Sequence, residues 1–237
     1  MPARSKSSSG LSASRIDRAG RTLRTFQRTN TLDLREYGPA LDVLRQFRRE
    51  WVSDQRPLTG VYMGLKSMLA TLGIDTEPVT RLKREPRIID KLGRLSTTLS
   101  QMQDIGGVRI VVGDLATLGA LRERICHVWS GQIDEVVDYV AAPRPDGYRS
   151  IHIIVRRHGH MVEVQLRTSR QQTWAIVVES HEALVRARIR DGEGAEQTRI
   201  ELRALADALA CLDTGLAVPR ELWDLARRAL DRLRTTV

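Results

Sequence analysis

Cysteine is nearly absent from these 237 residues: only Cys126 and Cys211 occur, far apart and in no Cys-x-x-Cys or Cys/His spacing. That supports neither a disulfide framework nor a zinc site, and both thiols read as buried apolar residues. Aromatic rings are also few, with two Phe and four Tyr. A surface that binds single strands by stacking bases needs more of them, which weighs against a pure RNA-binding module. No apolar run approaches the ~18 residues needed to span a bilayer. The opening MPARSKSSSGLSASR lacks the apolar stretch of a secretory signal. The expectation is a soluble, cytoplasmic protein with no membrane partner.

What the chain does have is positive charge and well-spread apolar residues. Lys and Arg outnumber Asp and Glu by 38 to 29, a net charge of +9 that suits a polyanion such as a nucleotide, RNA or DNA. Apolar residues make up 41% and run through the sequence, so most of it is expected to fold. Residues 1–30, rich in Ser, Arg, Gly and Thr, read as a flexible basic arm. From Pro39, the residues Leu41, Leu44, Phe47 and Trp51 recur at helical spacing, and a second helix is expected from Leu58 to Leu72, ending before Gly73.

The middle changes period. GVRIVV at 107–112 reads as a strand bounded by glycine, and 115–129 returns to helical spacing. Further strands are expected at 136–140, 150–155 and 161–166, with Arg157-His158-Gly159-His160 as a hairpin turn between the last two. From Ser169 the pattern is helical, broken at Asp191-Gly192-Glu193-Gly194 and near Pro219, giving three helices. The fold class is therefore α/β, a mixed sheet of about five strands with helical N- and C-terminal additions.

Four segments can carry chemistry. If Pro86 opens a helix, Arg87 and Lys91 share one of its faces, preceded by Arg81 and Lys83 on an extended stretch; such cations can grip a triphosphate, as a solvated basic helix also could be built. Asp104 stands beside Gly106 and Gly107 at the mouth of a strand, where a carboxylate can hold Mg²⁺ while glycine lets a polyphosphate approach; it also suits an ordinary turn. The stretch 143–152 presents Arg144, Tyr148 and His152 from a proline-rich turn, a purine platform unless Tyr148 is a core ring. In 161–168, alternation places Glu163, Gln165 and Arg167 on one strand face and Val162, Val164 and Leu166 on the other.

Taken in order, R-L-K with a downstream K-L at 81–92, D-I-G-G-V-R at 104–109, D-Y-V-A-A-P-R-P-D-G-Y-R-S-I-H at 138–152 and V-E-V-Q-L-R-T at 162–168 resemble the synthetase domain of the RelA/SpoT family of alarmone synthetases. The resemblance implies a nucleotidyltransferase-like synthetase domain over 31–190, with 191–237 as helices packed on or extending it. It implies transfer of the β,γ-pyrophosphate of ATP to the 3′-hydroxyl of GDP or GTP. On that reading Arg81 and Arg109 sandwich the adenine, Lys83 and Lys91 bind the ATP phosphates, and Arg87 belongs to the ATP-binding set. Asp104 and Glu163 hold Mg²⁺ and, with Gln165, form the catalytic set. Tyr148 stacks on the acceptor purine, and Arg144, His152, Gln165 and Arg167 complete the acceptor side.

The chain departs from the family where Arg87 replaces a common Ser, where Arg144 and Asp146 replace Lys and Asn, and where Ile-Val-Val-Glu179-Ser-His181 follows Trp174-Ala175. No His-Asp dipeptide occurs, so the hydrolase of the long members is not expected. A synthetase without that hydrolase is harmful unless its output is restrained, and the resemblance extends to a family in which some short members are toxins that make alarmones to excess or pyrophosphorylate the 3′-terminal adenosine of tRNA. That alternative brings a neutralising antitoxin protein as partner, and the family also allows a homo-oligomer. A third reading, an inactive nucleotide-binding module, is opposed by the presence of both Asp104 and Glu163.

Overall fold

The computed structural model describes residues 11–31, 33–51 and 57–234. Helix α1 (Ala13–Thr29), α2 (Leu34–Arg49) and α3 (Pro57–Leu72) precede strand β1 (Val79–Leu82) and helix α4 (Glu85–Arg94). Strand β2 (Gly106–Val112), helix α5 (Leu115–Val128) and strands β3 (Ile133–Asp138), β4 (Ile151–Arg157) and β5 (His160–Thr168) follow. Helix α6 (Ser169–Val185), a 3₁₀ turn (Ile189–Asp191), α7 (Glu196–Asp213) and α8 (Arg220–Arg234) close the described chain. The five strands form one mixed sheet in the order β1-β2-β5-β4-β3, in which only β2 and β5 run parallel. No described helix is long and apolar enough to cross a membrane.

The expected α/β architecture is what the chain adopts, with three corrections. The stretch 13–29, expected within a flexible arm, is a helix capped by Ser12, with Ile16, Ala19, Gly20 and Leu23 buried; residues 1–10 lie outside the described residues. Its buried stripe is made partly of Ala and Gly, which adds little hydrophobicity to the pattern but lets α1 dock closely: a Cβ at Gly20 would lie 2.8 Å from that of Leu99. Helix α2 starts at Leu34, ahead of Pro39, because Asp33 caps it by accepting from the Arg35 N–H; Pro39 then lies inside the helix, where it lacks a backbone donor. Strand β3 ends at Asp138, short of 140, because the Asp138 carboxylate accepts from the Val140 and Ala141 N–H groups and turns the chain out of the sheet.

The β4–β5 turn falls on His158 and Gly159, both at positive φ (48° and 79°), as a two-residue hairpin requires. It fixes the register that opposes Ile151 to Leu166 and His152 to Gln165. Val108, Ile110, Ile153, Val155, Val162, Val164 and Leu166 consequently share one sheet face, buried with helices α1 to α5 in the main core. The opposite face carries Arg109, His152, Glu163 and Gln165. A second core joins Tyr148 to Trp174, Val178, Leu202 and Leu205 of the C-terminal helices.

Candidate active site

The polar sheet face opens into a cleft lined by Arg81, Lys83, Asp104, Gly107, Val108, Arg109, Glu163 and Gln165. Four of the expected site cations, both carboxylates and Gln165 therefore meet in one place: six line the cleft, and Lys91 reaches Asp104 from α4. Strand pairing explains the assembly. β1 brings Arg81 opposite Gly107, and the parallel β2–β5 pair brings Gly107 opposite Glu163 and Arg109 opposite Gln165.

Asp104 sits just before β2 and is gripped from two sides. Lys83 Nζ lies 2.6 Å and Lys91 Nζ 2.8 Å from the same oxygen, Oδ2. Burial opposes the Asp104 charge, but the two ammonium groups outweigh it and hold its carboxyl below the usual carboxylate range. Burial pushes the Lys83 ammonium down despite Asp104. Lys83 itself follows β1, where Arg48 of α2 donates to its carbonyl at 3.1 Å and to Glu85 at 2.8 Å. Arg48 lies outside every motif, 35 residues earlier in the chain, and nothing in the local pattern marks it.

Glu163 is the meeting point of two hydrogen-bonded chains. Gln165 Nε2 donates to its Oε2 at 2.7 Å, and Arg109 reaches the Gln165 carbonyl oxygen at 3.4 Å. His152 Nδ1 stands 2.9 Å from Glu163 Oε1, while His152 Nε2 lies 2.6 Å from the Tyr148 hydroxyl, to which Arg167 Nη2 donates at 2.8 Å. For His152, burial works against the cation, but Glu163 and Tyr148 prevail and raise its pKa. For Glu163, burial is likewise overcome, mainly by His152, and its pKa falls. Burial, with Arg167 and Arg81 nearby, lowers that of Arg109.

Not every expected residue joins the cleft. Tyr148 is a core ring, 7% exposed, packed near Trp174 and with the Arg167 guanidinium 5.1 Å from its centroid, so in this arrangement its face is not offered to a base. The apolar side chains of α6 and α7 enclose it, which the local pattern around 148 does not contain. Arg167 is equally buried and bridges Tyr148 to Gln172. Arg144 and Arg87 are exposed, and neither lines the cleft.

The donor set suits a hard cation. Asp104 Oδ1 is buried without a hydrogen-bond partner, an acceptor aimed at something other than protein. No cluster of three His, Cys, Asp or Glu capable of holding a metal occurs among the described residues. Mg²⁺ does not demand one, since it is commonly held by one or two carboxylates together with substrate phosphates and water.

Residues 80–184 match the family model described as a region found in RelA / SpoT proteins. Less than half of this chain, the stretch that builds the cleft, is thus similar to a RelA/SpoT region. Within it lie all the cleft residues named above, whereas α1, α2, α3, α7 and α8 fall outside. A GTP pyrophosphokinase of Escherichia coli strain K12 is 33% identical over 109 residues, 44% of this chain and 14% of that protein. The match thus spans only a small part of that relative's length. GTP pyrophosphokinase YjbM of Bacillus subtilis is 26% identical over 164 residues, covering 64% of this chain and 75% of that one. Among solved structures, small alarmone synthetase 1 from Bacillus subtilis bound to its product pppGpp superposes with a TM-score of 0.60 at 22% identity, over 72% of this chain and 94% of that one. A GTP pyrophosphokinase family protein from Streptococcus pneumoniae gives 0.58 at 20% identity, over 79% and 97%. These likenesses establish a shared fold around the RelA/SpoT region.

Proposed function

We propose that this chain is a pyrophosphokinase that moves the β,γ-pyrophosphate of ATP onto the 3′-hydroxyl of a guanine nucleotide, GDP or GTP. The observation that carries the reading is the Lys83–Asp104–Lys91 cluster beside the cleft that Glu163 also lines, two ammonium groups on a carboxylate with an unused buried oxygen. The relatives named GTP pyrophosphokinase support the same class of reaction.

Arg81 and Arg109 line the cleft on neighbouring strands and repel one another, so a flat adenine between their guanidinium planes is favoured by stacking and by separating the charges. Lys83 and Lys91 turn from Asp104 to the phosphates. Asp104 and Glu163 would hold Mg²⁺, which when bound neutralises charge on the transferred group. The acceptor 3′-oxygen forms a bond to the β-phosphorus as the bond from that phosphorus to the α-phosphate oxygen breaks, and AMP leaves. Glu163, kept ionised by His152, accepts the hydroxyl proton, and Gln165, itself reached by Arg109, holds its carboxylate in place.

The test is incubation with ATP labelled in the γ-phosphate together with GDP, GTP or deacylated tRNA. Label should move to the guanine nucleotide with release of AMP. Label on tRNA alone would replace the acceptor assignment with the tRNA reading, and release of ADP in place of AMP would refute pyrophosphate transfer altogether.

A further inference from the structure

Helix α1 lies outside the RelA/SpoT region, yet it grips the two segments whose meeting builds the donor side of the cleft. One of these is the C-terminal end of α4, which carries Lys91. The other is the stretch from Leu95 to Asp104. They converge where Lys91 Nζ meets Asp104 Oδ2 at 2.8 Å.

Arg24 spans both. Its Nε donates to the Leu92 carbonyl at 2.7 Å, next to Lys91, and its Nη2 donates to the Thr97 carbonyl on the path to Asp104. A guanidinium is planar and rigid, so two carbonyls held by one fork are held at a fixed spacing. The Leu92 carbonyl also belongs to the last turn of α4, where a cation offsets the helix dipole. Around this bond α1 fits closely. Asp17 accepts from the Ser100 N–H at 2.9 Å, Gly20 abuts Leu99, and a Cβ at Gly93 would lie 2.5 Å from Gln27 Cγ. Arg28, one turn along α1, donates to the Gly93 carbonyl at 2.8 Å and makes no hydrogen bond or ion pair to 95–104 among the described residues.

We infer that Arg24 is a positioning residue of the donor site: by tying Leu92 to Thr97 it sets the distance between Lys91 and Asp104, and through it the affinity for the triphosphate. The inference rests on the reading of this cleft as an ATP site. It makes α1 part of the nucleotide-binding apparatus, beyond its part in the core.

The full chain is tested by calorimetric titration with ATP and Mg²⁺, and by steady-state kinetics with ATP and GTP varied separately. R24A should weaken ATP binding about tenfold or more and raise the KM for ATP, because misplacing a binding group by ~1 Å costs up to ~100-fold. R24K keeps the cation and its stem but lacks the fork; it should fall between R24A and the parent chain. The KM for GTP should stay within about twofold in both, since sites with no shared partner behave independently. R28A, which loses a hydrogen bond to α4 and none to 95–104, should leave ATP binding within about twofold. Equal loss of ATP and GTP affinity in both Arg24 variants, or the same loss in R28A, would reduce Arg24 to a stabilising contact and overturn the inference. ATP affinity unchanged in R24A also overturns it, leaving the proposed function standing. A parent chain that binds no ATP overturns both.

Discussion

Gly107 and Glu163 face one another across the parallel β2–β5 pair so closely that a Cβ at 107 would lie 2.7 Å from the Glu163 carbonyl oxygen. The contact is with backbone and cannot be relieved by a rotamer change. G107A must therefore push β5 away from β2 at the residue that ends both hydrogen-bonded chains of the site. Pyrophosphate transfer should fall about 100-fold, the cost of misplacing a catalytic group by ~1 Å. G119A is the control: nothing lies within 4 Å of a Cβ there, inside α5, so it should stabilise the fold by about 0.5–1 kcal/mol without touching the rate. Rates and urea unfolding midpoints of the two variants, measured side by side, check both statements; full activity in G107A would show that the Glu163 position is not critical.

Asp104 is the partner of two lysines and offers one further, unused oxygen. D104N keeps the shape and removes the charge, so both ammonium groups lose their counterion and the unused oxygen loses most of its pull on a cation. Transfer should drop by about 100- to 1,000-fold, the range found when a group acting on developing charge is removed. The Mg²⁺ concentration giving half-maximal residual activity should rise. A D104N variant with an unchanged Mg²⁺ dependence would take Asp104 out of the metal site.

The sequence made the cleft readable where its signals were short in range. Glycine on either side of a β-branched run located β2, the His158-Gly159 turn located the β4–β5 hairpin, and strict alternation in β5 separated Glu163 and Gln165 from the core. Arg24 and Arg48 are opaque, and Tyr148 is undecided between purine platform and core ring, for one shared reason, that their surroundings come from elsewhere in the chain. Arg24 and Arg48 act on carbonyls 68 and 35 residues away, and Tyr148 is enclosed by α6 and α7. The buried side of α1 was missed because close packing there is achieved by Ala19 and Gly20, whose small size matters more than their hydrophobicity.

Two roles for Tyr148 make opposite forecasts. A ring that stacks on the acceptor purine tolerates loss of its hydroxyl, whereas the structure uses that hydroxyl to join Arg167 to His152. Y148F leaves the ring and deprives both neighbours of their partner inside the core. The expected outcome is a loss of about 1–3 kcal/mol of stability, the cost of stranding buried polar groups. His152, no longer bonded on both nitrogens, should also titrate at lower pH, which NMR of its imidazole can follow. If Y148F matches the parent chain in stability and rate, the hydroxyl is dispensable and stacking becomes the better account of the ring.

The C-terminal helices offer a stability test independent of the cleft. Glu201 of α7 is fully buried and receives Arg232 of α8 through two hydrogen bonds, 2.6 and 3.1 Å, with Gln197 adding a third at 3.1 Å. The Arg232 bond, foremost, holds the Glu201 carboxyl below the usual carboxylate range. A group depressed on folding contributes stability that is complete above its unfolded pKa, about 4.3, and is lost as pH falls through the folded value. E201Q should therefore cost about 1.5–3 kcal/mol at pH 7, as expected for a hydrogen bond to a charged group whose Arg partner is half exposed. The gap between parent and variant should narrow steadily below pH 4 as the parent loses its ion pair. Urea unfolding from pH 7 to pH 3 reads the gap directly, and a difference independent of pH would mean that Glu201 holds the helices by packing alone.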